Sequence, residues 1–372
     1  MTSAKYYSKW EEKSNKLKIF FSKFGFAINI GTAILLLLAY LAPFVPPDSF
    51  WPLAFFGLAY PYLALVNIGF LVIWILQRSI RLLLPLLSLL LGFNFFTSTF
   101  QLIPKFNSID SGIKILSYNV NSFRYDLRIH RTNNPKILEY FKTSGAEIIC
   151  LQEGTLLNGG KLSPKGMKDA LSEINYFQLA SSGDYSGSIT LSKYPIINMG
   201  EIRFPGSSNL VLFSDIKISN RQIVRVYNCH LQSYAIDPED YSVIDSIGSG
   251  SNRQQIREAR HVSYKLKIGF RMRAFQARKV ADHIKKSPYP VIVCGDFNDT
   301  PVSYAYRKVK GELKDAFVEA GWGISNSYNG ELPSFRIDYI LHDKKFIAVN
   351  YSRDRVIYSD HFPVRCRISL AQ

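Results

Sequence analysis

The chain has 372 residues, 45 Lys+Arg against 29 Asp+Glu and a net charge of +16. That length accommodates one large domain plus a membrane region, and the basic balance suits a polyanion or an anionic membrane. The four cysteines, Cys150, Cys229, Cys294 and Cys366, show no metal-ligand spacing, which argues against a thiolate metal site. Each lies in a short apolar run and is expected to pack as a buried free thiol.

Residues 1–23 are polar and carry Lys5, Lys9, Lys13, Lys16, Lys18 and Lys23. The next eighty residues are almost wholly apolar. Phe24–Ala42, Leu53–Leu76 and Leu82–Ile103 are each uncharged and close to the roughly 20 residues that a helix needs to cross a bilayer. Three transmembrane helices are therefore expected over 24–104, in contact with lipid through residues 24–103. The pieces between them are short: a Pro-rich turn holding Asp48, then a basic turn with Arg78 and Arg81. Because Lys and Arg gather on cytoplasmic loops, the N-terminus and the second turn are expected inside. Three spans then deliver the rest of the chain to the outer, periplasmic face of a bacterial inner membrane.

A polar linker over 105–112 precedes a region that reads as a soluble α/β domain, 113–372. Its composition is 36 Lys+Arg against 25 Asp+Glu. Strands are expected at Ile113–Asn119, Glu147–Glu153, Ser188–Leu191, Leu210–Ile218, Gln222–His230, Pro290–Cys294, Arg336–Leu341 and Val364–Ser369, where β-branched and aromatic residues cluster. Lys136–Thr143, Gly166–Ile174 and Ala274–Lys285 read as helices. Many strands with interspersed helices suggest two packed sheets flanked by helices. Between Arg253 and Lys279 stand nine Lys/Arg, the single acid Glu258 and three aromatics. This segment is expected to form a basic amphipathic helix pair, bound to phosphate backbones, to anionic headgroups or simply to water.

The polar residues of chemical interest fall at strand ends: Asn119, Glu153, His230, Asp296 with Asn298, Asp338, and Asp360 with His361. Taken singly each has a structural explanation, such as a turn former or a helix cap. As an ordered set they combine hard oxygen donors with two histidines on a single rim. Phosphoester hydrolysis asks for that combination. A divalent cation neutralises the phosphate and stabilises the leaving oxygen, and a His held by an Asp exchanges protons near neutral pH.

The motifs SYNV, LQE, NCHL, GDFND, RIDYI and SDHFPV, in that order, resemble the endonuclease/exonuclease/phosphatase superfamily from about Ile113 to the C-terminus. The resemblance implies a four-layer α/β/β/α sandwich of the deoxyribonuclease I type and an Mg²⁺-dependent phosphoric ester hydrolase, with Mn²⁺ as an alternative ion. It implies Asn119, Glu153 and Asp360 at the metal, with Glu153 as direct ligand. It implies His361 as the catalytic histidine, oriented by Asp338. Asp296 would activate water or handle the leaving-group proton, and Asn298 would position the phosphate. His230 and Asn228 would contact the phosphate, and Arg336 would neutralise substrate charge. Asn121 departs from the repair nucleases of the family, which carry Asp there. A nuclease acting on nucleic acid is the first expectation, a phospholipid or sphingolipid headgroup phosphodiesterase or phosphatase the second, and a catalytically silent binding module the third. No obligate protein partner is expected.

Overall fold

Apolar stretches near the N-terminus form the first structural unit. The computed structural model describes residues 3–103, 111–126, 131–132, 134–155, 163–181, 186–234, 253–330 and 334–371. Helix α1 runs Ser3–Leu41, a short α2 spans Pro47–Phe50, and α3 runs Pro52–Leu76 with Pro52 at its first turn, where a missing N–H costs nothing. Two stretches, Ser22–Leu41 and Pro52–Leu76, are long and apolar enough to cross a membrane. Between the two helices, Trp74 Nε1 donates to Asn29 Oδ1 at 3.0 Å and Asn67 Nδ2 donates to the Thr32 carbonyl at 3.2 Å. Polar side chains of this kind tie apolar helices to one another.

The third expected span, Leu82–Ile103, is not one straight helix. A 3₁₀ turn at Ile80–Leu82 leads into α4 (Leu83–Leu91), and α5 (Phe93–Thr99) departs at 67°. The break has an identifiable cause. Tyr40 donates its hydroxyl to the Ser88 carbonyl at 3.0 Å, the group that the Gly92 N–H would take in a continuing helix; that N–H turns to Leu89 instead. The Tyr40 ring sits so close to Gly92 that a Cβ there would approach it to 2.0 Å. A side chain inserted into the hydrogen-bond ladder is a standard origin of a kink.

Residues 105–110 of the expected linker, and Pro104 before it, lie outside the described residues. The soluble part then contains strands β1 (Ile113–Asn119), β2 (Arg124–Asp126), β3 (Arg131–Thr132), β4 (Ile148–Thr155), β5 (Tyr176–Ser181), β6 (Ser186–Ser192) and β7 (Ile196–Arg203). It continues with β8 (Leu210–Ser219), β9 (Gln222–His230), β10 (Val291–Asp296), β11 (Lys314–Asp315), β12 (Asp338–His342), β13 (Phe346–Arg353) and β14 (Val364–Leu370). One sheet has the order β13-β14-β1-β4-β6-β5 and the other β11-β12-β10-β9-β8-β7. Helices α6 (Asn134–Ser144), α7 (Pro164–Ala170), α8 (Arg253–Lys285), α9 (Tyr304–Lys310) and α10 (Ala316–Ala320) accompany them. The basic region is therefore one continuous helix of 33 residues and not the expected pair.

Three apolar cores stack through this part. Ile115, Ile148, Val226, Ile292 and Ile340 pack between the sheets, with Cys150, Cys294 and Cys366 among them. Ile137, Phe141 and Met167 cover the outer face of the first sheet, and Ala277, Val280, Ala305 and Val309 cover that of the second. The result is two sheets with helices outside, consistent with the expected α/β class. All four cysteines are free and buried.

The apolar helices and the sheets touch along one side. Val302 joins a buried cluster with Leu36, Ala39, Tyr40, Tyr60 and Ala64. Thr300 Oγ1 reaches the Gly57 carbonyl at 3.4 Å, and a Cβ on Gly57 would meet the Val302 carbonyl at 2.4 Å. Phe55 meets Phe270 and Tyr62 meets Phe335, each edge-on. Arg278 grips Asp48 with two bonds of 2.9 and 3.0 Å. Asp48, Phe55, Gly57, Tyr60 and Tyr62 lie toward the 43–52 turn and Ala64 at the middle of α3, whereas Arg81 bonds the Ser22 carbonyl at the opposite end.

Candidate active site

Strand register brings the chemistry together. In the second sheet β9 runs parallel to β10 and places His230 opposite Asp296, and antiparallel β12 places Asp338 opposite Asp296 on the other side. In the first sheet β1 and β4 run parallel, and their pairing ends with Asn119 opposite Gln152, one residue before Glu153. Asp360 and His361 stand just before β14, the antiparallel neighbour of β1. Both sheets thus present polar ends at the same rim, one across from the other.

Asn119 ties the two sheets across the site. Its Nδ2 donates to Glu153 Oε1 and to Asp296 Oδ2, both at 3.0 Å, and its Oδ1 accepts from the Asn121 backbone N–H. His361 Nδ1 lies 2.8 Å from Asp338 Oδ2, which leaves Nε2 facing Asp296 Oδ2 at 3.7 Å. His230 Nε2 is 3.4 Å from Glu153 Oε1, without the alignment of a hydrogen bond. Asn298 spends both amide hydrogens inside the protein, one on Asp296 Oδ2 and one on the Leu231 carbonyl, so it braces Asp296. Glu153 and Asn298 both adopt positive φ, 53° and 51°, in the left-handed region that non-glycine residues seldom occupy. Strain of this kind persists only where surroundings enforce it, commonly at functional sites.

The charges are strongly perturbed. Burial pushes the Asp296 carboxyl up, against the attraction of His361, to about 6. Burial acts on Glu153 in the same sense, yet the nearby His230 imidazole and the hydrogen bond from Asn119 prevail and hold it down at about 2. His361 is raised well above the ordinary imidazole value; burial opposes this, but Asp338 and Asp296 outweigh it. His230 is raised too, by Glu153 against burial. A carboxyl near 6 beside a histidine held by a second carboxylate is a proton-handling arrangement suited to neutral pH.

Donor atoms of Asp296, Asp338 and His361 lie within 4.8 Å of one another, a possible acidic/histidine cation site. Two buried atoms at the rim, His230 Nε2 and Asp338 Oδ1, lack a hydrogen-bond partner. Hard carboxylate oxygens with unsatisfied polar atoms beside them suit a divalent cation and a phosphate. Asp360 stands close by: the Ser359 hydroxyl lies 2.8 Å from the Asn119 carbonyl and 3.1 Å from Asp360 Oδ1.

Two expected substrate contacts are placed elsewhere. Asn228 is fully buried; its Oδ1 accepts from Gln152 Nε2 at 2.7 Å and its Nδ2 donates to the Leu151 and Ile189 carbonyls. It stitches the sheets together beneath the rim. Arg336 is 3% exposed, pairs with Asp315 at 2.9 Å and donates to the Ser98 carbonyl at the end of α5 at 2.8 Å. Its charge is committed to the fold and to the joint with the apolar helices. Sequence reasoning overlooked Ser359, although it sits inside the SDH motif, and the buried Arg273–Asp299 pair at 3.1 Å next to Asn298.

Comparison with known proteins agrees with this geometry. Residues 116–361 match the family model described as the Endonuclease/Exonuclease/phosphatase family, and residues 18–99 match a domain of unknown function. Among curated proteins, none matches the chain. Solved structures that resemble it include an endonuclease/exonuclease/phosphatase from Bacteroides vulgatus, with 15% identity, 70% of this chain and 100% of that one covered, and a TM-score of 0.49. A mannosyl-6-phosphatase from Bacteroides thetaiotaomicron gives 15%, 69%, 100% and 0.47, and the human Nocturnin catalytic domain 15%, 72%, 98% and 0.48. The family match covers the strands that carry the rim, from β1 to His361, and the chain belongs to the endonuclease/exonuclease/phosphatase family.

Proposed function

We propose that the chain is a membrane-anchored, divalent-metal-dependent phosphoester hydrolase, built from an N-terminal anchor over 24–104 and a catalytic domain over 113–372. The observation that carries the reaction class is His361, held by Asp338 on one nitrogen and facing the buried Asp296 with the other. Glu153, with Asn119 and Asp360, would hold Mg²⁺ or Mn²⁺, which neutralises phosphate charge and stabilises the departing oxygen. Asp338 fixes the His361 tautomer so that Nε2 is the working atom. Asp296, raised to about 6, accepts a proton from water or returns one to the leaving group. His230 Nε2, free of a hydrogen bond and 3.4 Å from Glu153, is offered to a phosphate oxygen. Asn298 and Asn119 hold Asp296 in place.

The 43–52 turn and the catalytic part share one end of the apolar helices, opposite Lys23, Arg78 and Arg81. With the basic end inside, the catalytic part lies outside the cytoplasm. Of the two substrates, the basic charge favours nucleic acid. One observation favours a headgroup phosphoester: the rim loop Asp299–Val302, which follows Asn298 directly, rests on Gly57 and on the apolar cluster of the anchor. A site fixed at that height meets membrane-borne phosphates first, so we give the headgroup precedence.

The test uses the full chain in detergent or nanodiscs with Mg²⁺ or Mn²⁺, offered plasmid DNA, RNA and mixed-lipid vesicles in parallel. Headgroup release that disappears in Asp296→Ala and in His361→Ala is the expected result. Nucleic-acid cleavage with the same dependence would restore the nuclease. Hydrolysis unchanged in both variants would sink the assignment of the site.

A further inference from the structure

The basic helix α8 has two faces with different fates. Ala274, Ala277, Val280 and Ala281 are buried toward the second sheet. Along the first half, Ile256, Tyr264 and Ile268 are 45%, 59% and 44% exposed, and Arg260 and Arg271 are exposed with them. Positions 256, 260, 264, 268 and 271 follow a three-to-four-residue spacing and form one stripe. Apolar and cationic side chains therefore alternate along a single exposed face.

This stripe adjoins the end of the apolar helices. Lys267 Nζ sits 5.5 Å over the ring of Trp51, the residue that precedes α3, and Phe270 packs edge-on against Phe55 one turn further in. Arg278 fixes the same helix to Asp48. Phe50 and Phe44, in the same turn, are 54% and 53% exposed. A helix pinned at these three places lies against the end of the bundle between Asp48 and Phe55, where Phe50 is also exposed.

We propose that the first half of α8, Ile256–Arg271, lies on an anionic phospholipid bilayer, with its isoleucines and tyrosine at the acyl boundary and its arginines on headgroup phosphates. The inference rests on the membrane-anchored reading above. Basic in-plane helices bind anionic lipid by this pairing of apolar burial with charge. A polyanion such as nucleic acid would satisfy the arginines but would leave Ile256 and Ile268 against water and phosphate. The bilayer satisfies both kinds of side chain, and the contact holds the catalytic rim at headgroup height.

The four native cysteines are buried, so Tyr264→Cys can carry an environment-sensitive fluorophore selectively. The full chain is placed in vesicles of phosphatidylcholine alone or with 30% phosphatidylglycerol, a proportion on the order of that in an anionic membrane. The expected result is a blue shift that grows with phosphatidylglycerol and is reversed by Arg260→Glu with Arg271→Glu. Equal emission in both vesicles, or a shift indifferent to the charge reversals, overturns the contact. So does a shift produced by single-stranded DNA and not by phosphatidylglycerol. Alkaline carbonate washing of the same membranes separates the two readings. Protein that stays in the pellet with a silent label has lost only the α8 contact, whereas protein released to the supernatant has lost the anchor as well.

Discussion

Arg336 is a charged residue one would place in a phosphate site by its neighbours in sequence, and its surroundings say otherwise. It is enclosed by Phe317, Tyr339 and Tyr306 and closes on Asp315. Replacing it leaves a buried carboxylate without its cation, which costs about 3–5 kcal/mol. Arg336→Met is expected to lower the melting temperature sharply while the KM of the surviving folded protein stays within about twofold of the parent, consistent with a loss of stability and not of binding. A rise in KM with unchanged melting would return Arg336 to the substrate. Glu319 makes a pH-dependent counterpart. His342 Nε2 at 3.0 Å, Lys314 Nζ at 2.9 Å and the Ala348 N–H at 2.7 Å overcome its burial and hold it at about 2. A depressed carboxylate stabilises the fold fully above its unfolded value of about 4.3 and loses that contribution as pH falls toward 2. Wild type should exceed Glu319→Gln by on the order of 3 kcal/mol at pH 6, a gap that closes below about pH 3 in paired melts. A pH-independent gap would assign the effect to packing.

The same residues show what a sequence can disclose. Asn119, Glu153, His230, Asp296, Asp338 and His361 were legible because each lies at a strand end or within three residues of one, and strand ends share a rim. Asn228 was not. It stands two residues before His230 on the same face of β9, but both faces of β9 are covered, so alternation cannot distinguish a side chain aimed at the rim from one aimed at the facing sheet.

At the scale of elements, the strands that periodicity did not reveal are instructive. Besides the small β2–β3 hairpin, they are β5, β7, β11 and β13, which are the four edges of the two sheets. β7 alternates between exposed and half-covered positions and has no buried residue, and β13 is interrupted by a bulge near Asn350. Central strands advertise themselves through apolar runs, whereas edges mix charge, glycine and bulges because they avoid further pairing. The third expected span departs from a straight helix for a different reason. Its composition is apolar throughout, and the bend comes from a tyrosine fifty residues earlier. Contact between elements also predicts behaviour at Gly57. A Cβ there must push against the Val302 carbonyl, four residues after Asn298. Gly57→Ala is expected to reduce kcat about tenfold or more with little change in KM, since misplacement of catalytic groups by an ångström costs that order. Asp48→Asn, which loosens the same joint away from the rim, should leave kcat nearly unchanged. Equal loss in both would reduce the effect to general loosening.

At the scale of the molecule, the apolar helices and the two sheets share more than a linker. Val302 is 1% exposed and belongs to one buried cluster with Leu36, Tyr60 and Ala64, and Arg336 bonds a carbonyl of α5. A catalytic fragment cut at residue 111 would carry Val302, Phe270 and Phe335 bare into water, beside an arginine short of one acceptor. The two halves are therefore not interchangeable parts. A transplant of the sheets onto a foreign anchor would have to bring Gly57, Tyr60 and the turn around Asp48 along, and substitutions on either side of that seam are constrained by the other.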